Sequence, residues 1–135
     1  ADLDGSLRRS VYLPVIRDRL PDVLGLFDFA EPSLVTGERE VTNVPVQALY
    51  LMNNQWVQDR AAALAQRIRR EARTPEEQVR RAFVLCFNRA PDAAEMKLAE
   101  EYFSKARGKA VETVPDEAKI WSAYCQSLLA SAEFR

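Results

Sequence analysis

Five side chains between residues 39 and 56 have the chemistry to bind a polar ligand such as a sugar. Amides donate and accept hydrogen bonds, and an indole offers a flat apolar face on which a sugar ring can stack. Three of the five amides in this short stretch, together with its guanidinium and its indole, could meet at one surface. The candidate ligand-binding residues are Arg39, Asn43, Gln47, Asn53 and Trp56.

The same stretch also fits a purely structural interpretation. Thr42 or Asn43 can cap a helix over about residues 45–52, because a side-chain oxygen there accepts a hydrogen bond from an unpaired backbone N–H. Asn53–Asn54 then suits a left-handed exit before the next helix. Caps and turns are common roles for these residue types, so both interpretations stay open. The apolar residues expected to pack are Val46, Leu49, Tyr50 and Met52.

The sequence offers little material for catalysis. Histidine is absent, which excludes Ser-His and Cys-His nucleophiles and any His-ligated zinc or haem. Cys86 and Cys125 form no C-x-x-C pair; on apolar helix stripes they act as small hydrophobes, or as a bridge if two packed helices bring them together. No spacing opposes two carboxylates across a cleft, as glycoside hydrolysis requires. We therefore expect no catalytic residue and no metal site in this chain.

Composition indicates one ordinary globular domain. The chain has 135 residues, of which 47% are hydrophobic and 29% charged, and its net charge is -1. Such a balance gives no overall field that would attract nucleic acid. No apolar run is long enough to span a membrane, and the first residues have neither an apolar h-region nor a small-residue cleavage site, so we expect no signal peptide within this sequence. Because the chain begins at Ala1, we expect a fragment of a larger protein.

One segment departs from this balance. Residues 60–89 hold eight arginines against three acidic residues, a local excess of five positive charges. The segment could face an acidic polysaccharide, a phosphate or an acidic partner, or it could be a solvated helix face. The expected intrahelical pairs on that face are Glu76 with Arg80 and Glu77 with Arg81.

Apolar residues recur at helical spacing from residue 55 to the end, which predicts four helices joined as a small bundle. The first covers about residues 55–72, and the later three have recognisable start signals. These signals are Thr74 with Glu77, Asp92 with Glu95, and Asp116 with Glu117.

The apolar stripes of these helices predict the core. The last helix carries the heaviest stripe, and the methionines are assigned to packing rather than to metal ligation. The predicted core includes Met52, Ala61, Leu64, Ala65, Ile68, Ala72, Val79, Ala82, Phe83, Cys86, Phe87, Met96, Leu98, Ala99, Tyr102, Phe103, Ala106, Ile120, Trp121, Tyr124, Cys125, Leu128 and Leu129.

The first third of the chain is organised differently. Four prolines interrupt it at spacings of seven, eleven and thirteen residues, which leaves room only for short elements. SVYLPVI reads as an extended arm, PDVLGLFDF as two helical turns and SLVTGEREV as a loop. We predict an all-α fold over 1–135 as a single domain, in which residues 1–54 pack on the helical bundle of residues 55–135. A partly buried ion pair of Arg9 with Asp28 is expected to help hold them together.

The ordered motifs RRSVY, LFDF, TNVPVQALYLMNN, NRAP and a terminal SAEF resemble a known family. The chain is similar to the C-terminal part of the planctomycete surface domain, which has no assigned activity and is often fused to a cytochrome c-like domain. The matching positions include Arg89, Pro91, Glu133 and Phe134, whereas Asn88 replaces a usual glycine and Ser131 a usual asparagine.

The resemblance implies an all-helical module of an exported bacterial protein, located in the periplasm or at the cell surface. It implies haem in a fused domain of the parent and no cofactor in this chain. The expected function is a non-catalytic interaction module that packs on the remainder of the parent. The alternatives are carbohydrate binding or polysaccharide processing with the missing upstream half, and docking for electron transfer with the fused cytochrome.

Overall fold

The protein is all-α, as predicted. The structure, a computed structural model, describes Tyr12 and residues 22–29, 45–108 and 116–134, and no strand occurs among them. In the described residues the helices are α1 (Asp22–Leu26), α2 (Pro45–Asn53), α3 (Gln55–Glu71), α4 (Pro75–Phe87), α5 (Ala93–Gly108) and α6 (Glu117–Leu129). The predicted extended arm, apart from Tyr12, and the predicted loop lie outside the described residues.

The chain divides into two compact units, residues 1–50 and 51–135. The division falls within α2 rather than after residue 54, where the sequence placed it. The prediction that both parts form a single domain stays a prediction.

The three predicted helix starts are confirmed. Thr74 Oγ1 accepts from the Glu77 N–H at 3.2 Å, and the Glu77 carboxylate accepts from the Thr74 N–H at 3.1 Å, which closes a capping box at α4. Asp92 and Glu95 exchange the equivalent bonds before α5, at 2.7 and 2.8 Å. Asp116 caps α6. Each signal acts within three residues, so local sequence suffices to set these starts.

The predicted left-handed exit at Asn53–Asn54 is wrong. Asn53 is the last residue of α2, and Asn54 has an extended backbone with φ -71 and ψ 128. The Asn54 side chain accepts a hydrogen bond from the Trp56 N–H at 2.9 Å, so it caps the start of α3. Asn54 is therefore extended because it serves as the N-cap of α3, and this role sets the conformation of the junction between α2 and α3.

The core of the second unit lies between α3 and α6, with α4 and α5 packed on it. The small residues of α3 leave room for the aromatic residues of α5 and α6. The ring centroids of these aromatic residues lie 4.5 to 5.7 Å from one another. The described core consists of Ala61, Ala65, Ile68, Val79, Ala82, Phe83, Ala99, Phe103, Trp121, Tyr124, Cys125 and Leu128. Met96 and Cys86 pack against it as predicted.

Some apolar residues predicted to be buried are exposed. Leu98 on α5 is 65% exposed, and Val46 and Met52 on α2 are 57% and 62% exposed. Leu49 is also exposed, so for α2 the packing prediction is wrong at these three positions. Because α2 is apolar on most of its circumference, it cannot bury every side chain, and Gln47 occupies its buried side.

Within the first unit, Asp28 ends α1. Its backbone has φ 58, and the Phe29 N–H donates to the Leu24 carbonyl at 2.9 Å, the pattern of a Schellman motif. The Phe27 and Tyr50 rings meet edge to face, with centroids 5.8 Å apart. The predicted two-turn helix is thus shortened to five residues by an early left-handed stop.

Asn88 ends α4 in the left-handed conformation, with φ 55 and ψ 28. The glycine that the resemblance places here would adopt this conformation without a Cβ penalty. We expect Asn88→Gly to raise the free energy of unfolding by up to about 1 kcal/mol and Asn88→Ala to lower it by about 1 kcal/mol. Urea denaturation checks both; an alanine variant as stable as the glycine variant would contradict this account.

Candidate functional site

The predicted amide site is only partly described. Arg39 and Asn43 lie outside the described residues. Gln47 is 2% exposed, and its Nε2 donates to the Leu26 carbonyl at 2.9 Å and, more weakly, to Asp28 Oδ2 at 3.4 Å. The Gln47 amide therefore joins α2 to the end of α1 within the first unit. Its role in ligand binding stays a prediction.

The other two predicted ligand-binding residues belong to the second unit. Asn53 is exposed at the end of α2. Trp56, the second residue of α3, is 40% exposed, and the Arg60 guanidinium lies 5.9 Å from its ring centroid. An exposed indole beside a cation has the chemistry for stacking on a ligand.

The predicted ion pair of Arg9 with Asp28 cannot be placed, because Arg9 lies outside the described residues. Asp28 has a separate role as the left-handed residue after α1 and as an acceptor for Gln47. Aspartate tolerates this conformation better than most residues. The pair stays a prediction.

The basic segment forms a network that spacing alone did not reveal. Glu71, at the end of α3, accepts from Arg67 Nε at 2.7 Å and from Arg81 Nε of α4 at 2.6 Å. Glu77 is used in the α4 capping box, so the predicted pair with Arg81 is wrong. Among the described residues, no ion pair within 4.0 Å joins Glu76 to Arg80 either. The crossing of two helices, rather than spacing within one, selects the partner of Arg81.

Arg89 joins three parts of the second unit. Its Nη1 and Nη2 donate to the Glu95 carboxylate at 2.8 and 2.6 Å, and Nε and Nη2 donate to Glu133 at 2.6 and 2.7 Å. The remaining Nη1 proton reaches the Ala90 carbonyl at 3.1 Å. All five guanidinium N–H donors are therefore used, in the bidentate geometry that arginine favours. We call Arg89, Glu95 and Glu133 the arginine clamp.

The clamp shifts the ionisation of its carboxyl groups. Hydrogen bonds from Arg89, followed by the Asp92 backbone N–H, lower the pKa of Glu95 to about 2. Hydrogen bonds from Arg89 also lower the pKa of Glu133. Both carboxylates are thus ionised at neutral pH, and the cation holds the α4–α5 connection against the turn that follows α6.

Both cysteines are free thiols in the second unit. Burial raises the pKa of the Cys125 thiol to about 12 and also raises that of Cys86. A protonated thiol is a poor nucleophile, so their surroundings favour a packing role.

The described residues include neither a metal-binding cluster nor a membrane-spanning helix. No group of three or more cysteine, aspartate or glutamate side chains there is arranged to hold a metal ion. No described helix combines the length and the hydropathy needed to cross a membrane.

Sequence reasoning named the clamp residues but not their contact. Arg89 and Glu133 were separate motif positions, and Glu95 was assigned only to a helix cap. Arg89 and Glu133 are 44 residues apart in the sequence, so no helical periodicity indicates that they are in contact. The only hint of this contact was that the NRAP motif and the terminal SAEF motif both follow predicted helices, and chain segments commonly meet at helix ends.

Most of the chain is similar to a known protein family. The model of the family PSD1, described as "Protein of unknown function (DUF1553)", matches residues 1–103. The match includes the amide-rich stretch, α3, α4 and Arg89 with Glu95, and it ends within α5, before Glu133. No curated protein and no solved structure matches the chain.

Proposed function

Because this chain belongs to the PSD1 family of proteins of unknown function, we propose that it is a non-catalytic helical module that docks on the remainder of a larger protein. The observation that carries the proposal is the exposure of Val46 and Met52 on α2. This helix lies in the stretch on which the family resemblance is densest. An apolar helix face in such a position is typical of an interaction surface.

Energetics favour burial of this face. Fully burying a valine or methionine side chain contributes about 1.5–3 kcal/mol relative to leaving it in water. At about 100° per residue, six positions place the two side chains about 120° apart around α2, so a partner groove that wraps around this helix would be needed to cover both. The partner that the resemblance implies is the upstream half of the domain.

The charges of the second unit support a structural role. The pKa shifts of its acids and bases have intramolecular causes, namely arginine pairs, helix caps and burial. Ionisable groups that are engaged within the chain hold one another in place, although exposed ion pairs add little to stability. We therefore propose that the second unit presents surfaces to partners and that any chemistry belongs to other parts of the parent.

The docking surface can be tested with the upstream half of the parent as bait. We expect the double variant Val46→Gln, Met52→Gln to weaken co-purification about tenfold or more, since glutamine keeps the helix but removes apolar surface. The matched control is Leu98→Gln, which changes an equally exposed apolar residue on α5. Equal retention of the double variant and the wild type would refute this docking surface.

Carbohydrate binding is the second candidate, and the exposure of Trp56 favours it. In this proposal the indole of Trp56 stacks on a sugar ring. Polar contacts from Arg39, Asn43, Gln47 and Asn53 stay predictions, and Gln47 is 2% exposed with its amide bound to the Leu26 carbonyl. Polysaccharide processing would additionally require the upstream half. Calorimetry of the whole parent with ligands from a glycan array is the measurement. We expect Trp56→Ala to abolish the heat of binding and Trp56→Tyr to retain part of it; no heat from the wild type would end the idea.

Location and cofactor environment are proposals that the family resemblance alone supports. We propose a planctomycete-type exported parent, in the periplasm or at the cell surface, with a fused cytochrome c-like domain whose haem this chain could contact during electron transfer. The sequence of the full parent tests the first point. Haem reduction kinetics with and without this chain test the second, and identical rates would argue against a docking role.

A further inference from the structure

A groove lies where the end of α3 meets the first turns of α4. It is open and has a volume of about 510 Å³, which is within the size range of small-ligand sites. Ala72 and Val84 form apolar parts of its surface, and Arg73, Arg80 and Arg81 line it with guanidinium groups. We call this feature the α3–α4 groove.

The two carboxylates that line the groove are already occupied. Glu71 accepts from Arg67 and Arg81 through different oxygens, Oε1 and Oε2. Glu77 Oε2 accepts from the backbone N–H groups of Arg73 at 3.2 Å and Thr74 at 3.1 Å. These bonds lower the pKa of both carboxyl groups, so both remain ionised and engaged at neutral pH.

The arginines of the groove retain unused donors. Within the described part of the chain, no hydrogen bond or ion pair within 4.0 Å engages the guanidinium of Arg73 or Arg80. Arg81 uses only Nε, which leaves its four Nη protons. The groove therefore offers a ligand cationic donors beside apolar surface, in a chain whose net charge is -1.

From this arrangement we propose that the α3–α4 groove binds an acidic peptide segment that carries an aliphatic side chain. The carboxylates of the peptide would accept from Arg73 and Arg80 in bidentate fashion, and its aliphatic side chain would cover Val84 and Ala72. A phosphate ion is too small to cover the apolar surface, and a uronate chain has no aliphatic side chain to place there. This function goes beyond docking through α2 and uses different residues.

The test uses the whole chain and a fluorescein-labelled peptide in which aspartates and glutamates flank leucine. Fluorescence anisotropy at physiological salt measures the affinity. We expect the double variant Arg73→Gln, Arg80→Gln to weaken binding about tenfold or more, because it removes the unused donors. Val84→Gln is expected to weaken binding several-fold, and a peptide with serine in place of leucine is expected to bind several-fold more weakly.

The matched control is the double variant Arg69→Gln, Arg70→Gln. It removes the same charge from exposed arginines in the last turn of α3 that do not line the groove. We expect it to change the affinity less than about twofold, because screened charges outside a contact contribute little. An equal loss in both double variants would show diffuse attraction and overturn the proposal. Tighter binding of a polygalacturonate oligomer than of the peptide would overturn it as well.

The two proposals fail separately. Arg73→Gln, Arg80→Gln should leave co-purification with the upstream half unchanged, and Val46→Gln, Met52→Gln should leave peptide affinity unchanged. Loss of peptide binding in the α2 variant would refute the assignment to this groove. Loss of co-purification in the groove variant would show that the upstream half itself supplies the acidic segment and would overturn the independence of the two surfaces.

Discussion

Trp121→Ala is expected to lower the free energy of unfolding by about 3–5 kcal/mol, the range for truncating a buried large aromatic residue to alanine. Trp121 is 2% exposed and is the largest fully buried side chain of the described core. Its ring lies 4.5 Å from that of Phe103 and 5.7 Å from that of Tyr124. Removal would leave a cavity between α5 and α6 that neighbours on two helices cannot fill by small movements.

Urea denaturation followed by far-UV circular dichroism measures this loss. The matched control is Trp56→Ala, because the chain has two tryptophans and the second is 40% exposed. We expect the control to cost less than about 1 kcal/mol, since little buried contact is removed. Equal losses in the two variants would mean that Trp121 does not organise the core.

Arg89→Met is expected to destabilise the protein at neutral pH and to reduce its sensitivity to acid. Methionine keeps much of the apolar stem that packs beside Phe83 and Phe87, whose ring centroids lie 5.4 and 5.7 Å from the guanidinium. The variant loses all five donor bonds and leaves two carboxylates close together without their cation. The stability lost in this variant therefore comes from electrostatic interactions rather than from packing.

The direction of the pH effect follows from the lowered pKa of Glu95. A carboxyl group whose pKa is lower in the folded state stabilises that state above its unfolded pKa, and the contribution is lost as pH falls through the folded pKa. For Glu95 the ordinary value is 4.5 and the folded value about 2. The difference in urea midpoint between wild type and Arg89→Met should thus be constant above about pH 5 and should shrink between about pH 4.5 and 2.

Arg107→Met is the matched control for the clamp. Arg107 also lies over a phenylalanine ring, at 5.5 Å, but it binds only Glu117, through bonds of 2.7 and 3.2 Å. Because Arg107 has fewer charge-assisted bonds to lose, we expect Arg107→Met to lower the urea midpoint at neutral pH by about half as much as Arg89→Met, or less. A pH-independent shift in Arg89→Met would show that the clamp acts through packing alone.

The helix starts illustrate what local sequence determines. Thr74 with Glu77 and Asp92 with Glu95 satisfy backbone N–H groups within one turn, so no distant residue is needed to complete them. The αL stop at Asn88 is equally local, since only glycine, asparagine or aspartate adopts it at low cost. The helix starts were predictable because the atoms involved are neighbours in the chain, whereas a left-handed residue was expected at Asn53–Asn54 and occurs at Asn88 instead.

The candidate sites were less predictable. Gln47 was assigned to a ligand and is buried against α1, whereas Arg73 and Arg80 were part of a charged segment and line a groove. A charged or amide side chain has several possible partners within reach of its long stem. Its choice depends on how helices cross, which spacing along one helix does not encode.

By itself, the sequence determined the all-α class, the bounds of the later helices and most of their buried stripes. It could do so because capping and the 3.6-residue period act over a few neighbouring residues. Only the tertiary structure decided that Leu98 and the α2 residues Val46 and Met52 remain exposed, that Arg81 binds Glu71, and that Arg89 joins Glu95 to Glu133. Those outcomes depend on how separate helices pack against one another, which the residue pattern along any one helix does not encode.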